Sequence, residues 1–260
     1  MSHPLDDAYA KLGRARTHLK KLNRIINKFV ADHPYRIEPE PDPKTGELVL
    51  VAHSLVPDEP VPTSVSLVAG DVAHNLRGAL NFLVWQLAIH RGKPHGQMQF
   101  PIIHDEGRAY PKPAPARFPD AVARYHLDKL NPLDLALIER LQPYNGGHLR
   151  HLALLALIND ADKHKLLASA VRMAITSPPV LGGVPLGTII EIDPRVALRD
   201  GAVLVRFRHL PFSKGKVEVD YEPPVFVLIG ESGGWMASAP TFGRMARLTG
   251  LILRLFRDRF

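Results

Sequence analysis

The segment Ser66–Arg91, SLVAGDVAHNLRGALNFLVWQLAIHR, decides the fold expected for this chain. At about 100° per residue it predicts one helix with two contrasting faces. The apolar face consists of Val72, Leu76, Ala79, Leu80, Leu83 and Leu87, and the opposite face consists of Asp71, His74, Arg77, Gly78, Asn81 and Trp85. An exposed helix face normally carries several Lys and Glu residues, and this one does not. We therefore expect the polar face to pack on other polar groups or to line a site.

A second polar cluster follows a fully apolar helix. Within His148–Ala170, the stretch Leu152–Ile158 is apolar on every side and leads directly into Asn159, Asp162 and His164. A helix of this kind is buried all round, and neighbouring helices of a bundle often pack antiparallel. Such packing would bring both polar clusters together.

The predicted site combines residues from both clusters, namely His74, Arg77, Asn81, Asp162 and His164. Histidine, arginine and aspartate in one place can act as general base, anion clamp and orienting carboxylate. The alternative is a purely structural network, in which a buried Arg77–Asp162 pair fixes the helix register and performs no chemistry. The sequence leaves both interpretations open.

The remaining pattern predicts one α+β domain over residues 1–260. Its helical core covers about residues 1–167 and includes a β-hairpin at 35–53 around the turn Asp42–Gly46. The chain then changes to short β-branched runs separated by Pro, Gly and Asp, which predict a C-terminal antiparallel sheet. These runs are Ala168–Thr176, Thr188–Ile192, Val203–His209, Val217–Tyr221 and Val225–Gly230. A basic amphipathic helix, Thr241–Phe260, ends the chain, and we expect it to dock on the core.

Composition limits the function classes. The chain contains no cysteine, which excludes disulfides, thiolate metal sites and cysteine nucleophiles. No signal peptide or membrane-spanning run is visible, so we expect a cytoplasmic protein with no membrane partner. The net charge is +7, with seven basic against two acidic residues in 1–30 and five against one in 243–260. Clustered positive charge of this kind is typical of proteins that bind polyanions.

Metal and cofactor sites are not expected. The thirteen histidines show neither H-x-x-x-H nor H-E-x-x-H spacing, and His148 and His151 are accompanied by Arg150. No glycine-rich phosphate loop precedes a predicted helix.

Four sequence blocks resemble a widespread, uncharacterised group of bacterial proteins. They are GDVAHNLRGALNFLVWQL (Gly70–Leu87), FPI (Phe100–Ile102), LQPY (Leu141–Tyr144) and INDADKHKLL (Ile158–Leu167). Members of the group carry HNLRSALDHLxWQL and a later DKHR motif. The group is distantly similar to the HEPN superfamily of helical proteins. Active members of that superfamily are metal-independent ribonucleases of toxin and defence systems, and an Arg followed by His after four to six residues is completed across a homodimer.

The resemblance implies a HEPN-like helical core, association with RNA or a nucleotide, a homodimer and a defence role. It also implies a departure from the usual mechanism. Arg77 is kept, but Asn81 replaces the acid of the group and Phe82 replaces its histidine. No Arg-x4–6-His pattern occurs anywhere in the chain. Phenylalanine cannot transfer protons, so ribonuclease activity is expected to be absent or unorthodox, with His74 or His164 as the substitute.

Three function hypotheses follow. The first is a HEPN-like protein that binds RNA or a nucleotide. The second is a small-molecule enzyme or sensor with a pocket between helices and sheet, walled by Phe82, Trp85 and Tyr144. The third is a non-catalytic interaction module in which the polar face is structural.

Overall fold

The computed structural model describes residues 3–56, 59–103, 117–173, 180–182, 189–192, 198–211, 213, 218–220, 225–231 and 236–260. The chain forms two compact units. The helical unit contains residues 1–23, 66–168 and 230–260, and the strand unit contains residues 24–65 and 169–229. The change of character that the sequence shows after residue 167 therefore coincides with a boundary between units. The C-terminal helix, however, returns to the helical unit.

Six α-helices are found among the described residues. They are α1 (Asp6–Asp32), α2 (Thr63–His90), α3 (Phe118–Arg124), α4 (Pro132–Arg140), α5 (Arg150–Asp162) and α6 (Ala239–Leu255). The helices predicted over Ser66–Arg91, around Leu152–Ile158 and over Thr241–Phe260 are confirmed as α2, α5 and α6. Proline stands in the first turn of α4, where its missing N–H is tolerated, and the side chain of Asn131 caps this helix by accepting from the Leu133 backbone N–H.

Helix α2 is the centre of the helical unit. All six residues of its predicted apolar face are buried, with exposures of 0–2%. Its first half lies beside the end of α5, where Ser66 Oγ donates to the Leu167 carbonyl at 2.7 Å. One turn later, the carboxylate of Asp162 occupies the space that a side chain at Gly70 would need. The two helices thus run in opposite directions at this contact, which is the packing that the predicted site requires.

Helix α6 buries its apolar side, as expected for a docked terminal helix. Phe242, Ile252 and Leu253 are fully buried. A Cβ atom placed on Gly250 would lie 3.3 Å from Leu12 and 3.2 Å from Arg16 of α1, so glycine permits the close approach of these helices. The segment that follows is fixed by an ion pair between Arg259 Nε and Asp134 Oδ1 at 2.6 Å.

The irregular segment 96–103 is anchored by two side-chain amides. The backbone N–H of Phe100 donates to Asn81 Oδ1 of α2 at 3.1 Å. Gln142, which is fully buried, accepts from the Ile103 N–H at 3.0 Å and donates to the carbonyls of Pro101 and Ile138, each at 3.0 Å. These bonds satisfy the N–H groups of Phe100 and Ile103 and the Pro101 carbonyl, which have no strand or helix partner among the described residues.

Nine strands are found among the described residues: β1 (Tyr35–Pro41), β2 (Glu47–Ser54), β3 (Ala168–Met173), β4 (Val180–Gly182), β5 (Ile189–Ile192), β6 (Ala202–Pro211), β7 (Glu218–Asp220), β8 (Val225–Gly230) and β9 (Met236–Ser238). The hairpin β1–β2 forms as predicted, with Tyr35 opposite Ser54. Its turn is closed by Asp42, whose carboxylate accepts from the Lys44 and Thr45 N–H groups and pairs with Arg206.

The hairpin belongs to the strand unit and not to the helical core, which corrects the expectation from the sequence. Strand β2 pairs antiparallel with β6, giving a four-stranded sheet in the order β1-β2-β6-β5. Leu48, Leu50, Leu204, Val205 and Phe207 form the buried core of this unit. The strands after residue 168 do not form one sheet, since β4 pairs with β7 separately, and β3 and β8 are neighbours in a further sheet. Local periodicity carries no information on such long-range pairing.

No helix in the described parts of the chain has the length and apolar character needed to cross a membrane.

Candidate functional site

The polar face of α2 is divided between two clusters. His74 is exposed, whereas Arg77 and Asn81 are half-buried. Asp162 at the end of α5 is also half-buried, and His164, just beyond it, is exposed. The structure thus brings His74 together with Asp162, and Arg77 together with Asn81. It shows no side-chain partner for His164 among the described residues.

Arg77 is the unusual residue of this face. Its Nη2 donates to Gln99 Oε1 at 3.2 Å. Its Nη1 is buried and has no hydrogen-bond partner among the described residues. Burial lowers the pKa of Arg77, and the opposing attractions of Tyr125 and Asp160 are smaller. A buried N–H donor without a partner is rare in proteins and calls for an explanation.

A cleft of about 460 Å³ adjoins Gln99, the acceptor of this guanidinium, and Arg77 itself is not one of its lining residues among those described. Its lining residues are Asn81, Gly96, Gln97, Met98, Gln99, Arg124 and Tyr125. One wall therefore comes from α2, the second from the irregular segment 96–99, and the third from the end of α3. Gln99, which accepts from Arg77, connects the buried guanidinium to this cleft. None of the seven lining residues is acidic.

Two histidines stand beside the cleft. The rings of His95 and His126 are tilted by 40° to one another, with centroids 3.8 Å apart. Both hold Gln97, because the Gln97 backbone N–H donates to His95 Nδ1 at 3.3 Å and His126 Nε2 contacts Gln97 Oε1 at 3.2 Å. His126 adopts a left-handed backbone conformation with φ of 53°. Sequence reasoning missed both histidines, because no periodic pattern links the two loops that carry them.

The second cluster surrounds Asp162. Burial raises the pKa of Asp162, the Asp71 carboxylate raises it further, and His74 lowers it. Asp71 also approaches His18 of α1, with Oδ2 and Nδ1 3.6 Å apart. This cluster is an acid–base group with two carboxylates and two imidazoles, and His18 is a member that the spacing within α2 and α5 does not reveal.

The pair between Arg77 and Asp162 considered from the sequence is not among the ion pairs of the described residues. The acid that acts on Arg77 is Asp160, and its Oδ1 accepts from Asn159 Nδ2 at 3.2 Å and Lys163 Nζ at 3.1 Å. Asp162 lies two residues further along α5, on a different side of the helix, and packs on Gly70.

Phe82, which stands where the resembling group has histidine, has a packing role. Its ring lies under Lys11 of α1, with Nζ 6.0 Å from the ring centroid. This geometry is at the outer limit of a cation–π contact. Phe82, Trp85 and Tyr144 line neither the cleft described above nor the apolar groove of about 380 Å³ formed by Leu141 and side chains of α6.

One group of described residues has metal-ligand spacing. The ligand atoms of Glu38, Glu40 and His53 lie within 4.8 Å of one another on β1 and β2. His53 Nε2 is 2.6 Å from Glu40 Oε1, and Glu38 Oε1 is 2.6 Å from Arg36 Nε. Ion pairs on the surface of the hairpin account for this arrangement.

No protein-family model, curated protein or solved structure matches this chain. The similarity to the HEPN superfamily therefore stays a prediction.

Proposed function

We propose that this protein binds RNA or a nucleotide through a phosphate group held at the Arg77 cleft. The observation that carries the proposal is the buried Nη1 of Arg77, which has no hydrogen-bond partner among the described residues. Leaving such a donor unpaired costs about 1–3 kcal/mol. A phosphate oxygen would remove that cost, since the planar guanidinium matches phosphate geometry.

The cleft also has the size and the composition for such a ligand. Its volume of about 460 Å³ lies within the range of about 300–1,000 Å³ that is usual for ligand pockets. Arg124 supplies a second cation, and Tyr125 supplies an aromatic surface of the kind on which nucleobases stack. Basic side chains of α1 and α6 would add long-range attraction for a polyanion.

Ribonuclease activity is absent or unorthodox in this proposal. Phe82 cannot exchange a proton, and its ring packs under Lys11. His74 remains the acid–base candidate, because it is exposed and interacts with Asp162. Any cleavage would be metal-independent, so it should persist in EDTA and disappear in His74→Ala.

Fluorescence polarisation with labelled single-stranded RNA tests the proposal. We expect wild-type affinity to fall about tenfold or more between 50 and 200 mM salt, because phosphate contacts release counterions. Arg77→Met should lower the affinity at least tenfold. Arg150→Met, which removes the same charge at an exposed position on α5, should change it less than threefold. A folded Arg77→Met protein that binds RNA like the wild type would contradict the proposal.

A small-molecule sensor is the second candidate, and the volume of the cleft, about 460 Å³, favours it. Titration with a mononucleotide and with RNA in the same assay separates the two. The predicted homodimer, cytoplasmic location and defence role stay predictions. Light scattering on the purified protein measures the first of these directly.

A further inference from the structure

An apolar groove of about 380 Å³ lies on the helical unit, between the end of α4 and one face of α6. Its lining residues are Leu141, Leu248, Leu251, Ile252, Arg254 and Leu255. Leu251 and Leu255 are 49% and 53% exposed, whereas the other three aliphatic side chains are buried. Single exposed leucines are common on protein surfaces, but a continuous apolar patch in a concave site usually marks an interaction surface.

The groove is held in place by the packing of both helices. Leu248 and Ile252 belong to the buried side of α6. The ion pair between Arg259 and Asp134 joins the chain after α6 to α4. The groove is therefore formed before any partner arrives, which lowers the entropy cost of binding.

The apolar surface continues along α4. Leu133 and Leu137 stand about two turns and one turn before Leu141, so helical spacing places them on one side of this helix. Leu133 is 67% exposed, the highest value among the large apolar side chains described. A partner seated in the groove would therefore bury apolar surface on both helices.

The charge beside the groove is mainly positive. In residues 132–141 and 239–258 the exposed charged side chains are Arg140, Arg244, Arg247, Arg254 and Arg257 against Glu139 and Asp258. Arg247 and Arg254 are two turns apart on α6 and border the exposed leucines on one side. Neither arginine forms an ion pair among the described residues. A guanidinium binds a carboxylate through two parallel hydrogen bonds, so these arginines suit an acidic partner.

Three other occupants fit this surface less well. A second copy in a two-fold contact would bring the same arginines to both sides of the interface. A lipid surface suits a helix whose apolar face is exposed, whereas Leu248 and Ile252 of α6 are already buried. Single-stranded RNA stacks its bases on aromatic side chains, and none of the six lining residues is aromatic.

We propose that this groove binds an acidic amphipathic helix of a partner protein. Apolar side chains at i, i+4 and i+7 of that helix lie on one face and fill the groove against Leu251 and Leu255. Its flanking carboxylates pair with Arg247 and Arg254. The surface is separate from the Arg77 cleft, because no residue lines both.

Fluorescence polarisation with a labelled peptide of about 18 residues tests the proposal. The peptide carries leucine on one helical face and glutamate on the rest. It should bind the wild-type protein at least tenfold more tightly than a shuffled peptide of the same composition. A peptide with lysine in place of glutamate should not bind. No binding of the acidic peptide, or equal binding of the shuffled one, overturns the proposal.

Surface variants assign the binding to the groove. Leu251→Gln should lower the affinity for the acidic peptide at least fivefold, and Leu67→Gln, a similarly exposed leucine on α2, should lower it less than twofold. Arg254→Gln should lower it at least threefold in dilute salt and less at high salt, because salt screens the lost attraction. Arg14→Gln, at an exposed position of α1, should change it less than twofold. Peptide binding that is unchanged in Leu251→Gln and Arg254→Gln overturns the proposal.

Three further measurements on the wild type and Leu251→Gln decide against the other occupants. They are sedimentation with phosphatidylserine vesicles, polarisation with labelled single-stranded RNA, and light scattering at several protein concentrations. Each should give the same result for both proteins. Loss of vesicle binding, RNA binding or self-association in Leu251→Gln would assign the groove to that occupant and overturn the proposal.

Discussion

Arg77 is expected to contribute little to folding, and this distinguishes a ligand-binding arginine from a structural one. We consider Arg77→Met, which keeps most of the aliphatic length and removes the guanidinium. The change removes one charged hydrogen bond, to Gln99 at 3.2 Å, worth about 1.5–3 kcal/mol. It also removes the unpaired buried Nη1, which costs the fold about 1–3 kcal/mol. These contributions have opposite signs and similar sizes.

The free energy of unfolding should therefore change by less than about 1 kcal/mol in Arg77→Met. Gln142→Met provides the contrast, since Gln142 is fully buried and makes three hydrogen bonds with good geometry. Its loss leaves the Ile103 N–H and the Pro101 carbonyl unpaired in the interior. We expect a loss of about 2–6 kcal/mol, at about 1–3 kcal/mol for each group.

Urea denaturation followed by circular dichroism at 25 °C measures both variants. The slope of the transition should be the same for both, because neither variant changes the surface exposed on unfolding. A loss of more than about 3 kcal/mol in Arg77→Met, comparable with the loss in Gln142→Met, would refute the reasoning. Arg77 would then be a structural residue, and the third hypothesis from the sequence would gain support.

Three further predictions concern the surroundings of the site. Gly70→Ala should cost about 1–3 kcal/mol, because the new Cβ would meet atoms of the Asp162 carboxylate group that now lie within 2.5 Å of its position. Gly78→Ala, whose Cβ would lie 3.7 Å from Lys11, should instead gain about 0.5–1 kcal/mol, and thermal unfolding compares the two. Asp162→Asn should stabilise the protein at pH 7, because its raised pKa makes ionisation of the folded state unfavourable. This gain should vanish below about pH 3.9, where the carboxyl is protonated in the folded and the unfolded chain. Urea denaturation at pH 7 and at a pH below about 3.9 measures the difference. Arg259→Met should lose about 1–3 kcal/mol by leaving Asp134, which is 5% exposed, without its partner.

The sequence predicts the helices well because their patterns are local. The apolar face of α2 is buried at each of the six expected positions, and the hairpin turn lies at Asp42–Gly46 as its composition indicates. The pairing of β2 with β6 lies beyond such reasoning, since the strands are separated by about 150 residues and no periodicity relates them.

The candidate site was predictable on one side only. Arg77 and Asn81 follow from the polar face of α2, whose unusual composition is visible in the sequence. Gln99 and Tyr125, which complete the cleft, lie in a loop and at a helix end. The hydrogen bond from Arg77 to Gln99 joins residues 22 positions apart. Helical periodicity does not extend into an irregular segment, so the sequence pattern could not predict this contact.

The way in which Gln142 and Asn81 hold segment 96–103 has an evolutionary consequence. The backbone of this segment is fastened at Phe100, Pro101 and Ile103, whereas the side chains at positions 97 and 99 face the cleft. Substitutions at those two positions can therefore alter selectivity without disturbing the attachment of the loop. Evolution can therefore change the ligand of the cleft while the backbone of the segment stays the same. A protein engineer can randomise the same two codons to alter ligand selectivity.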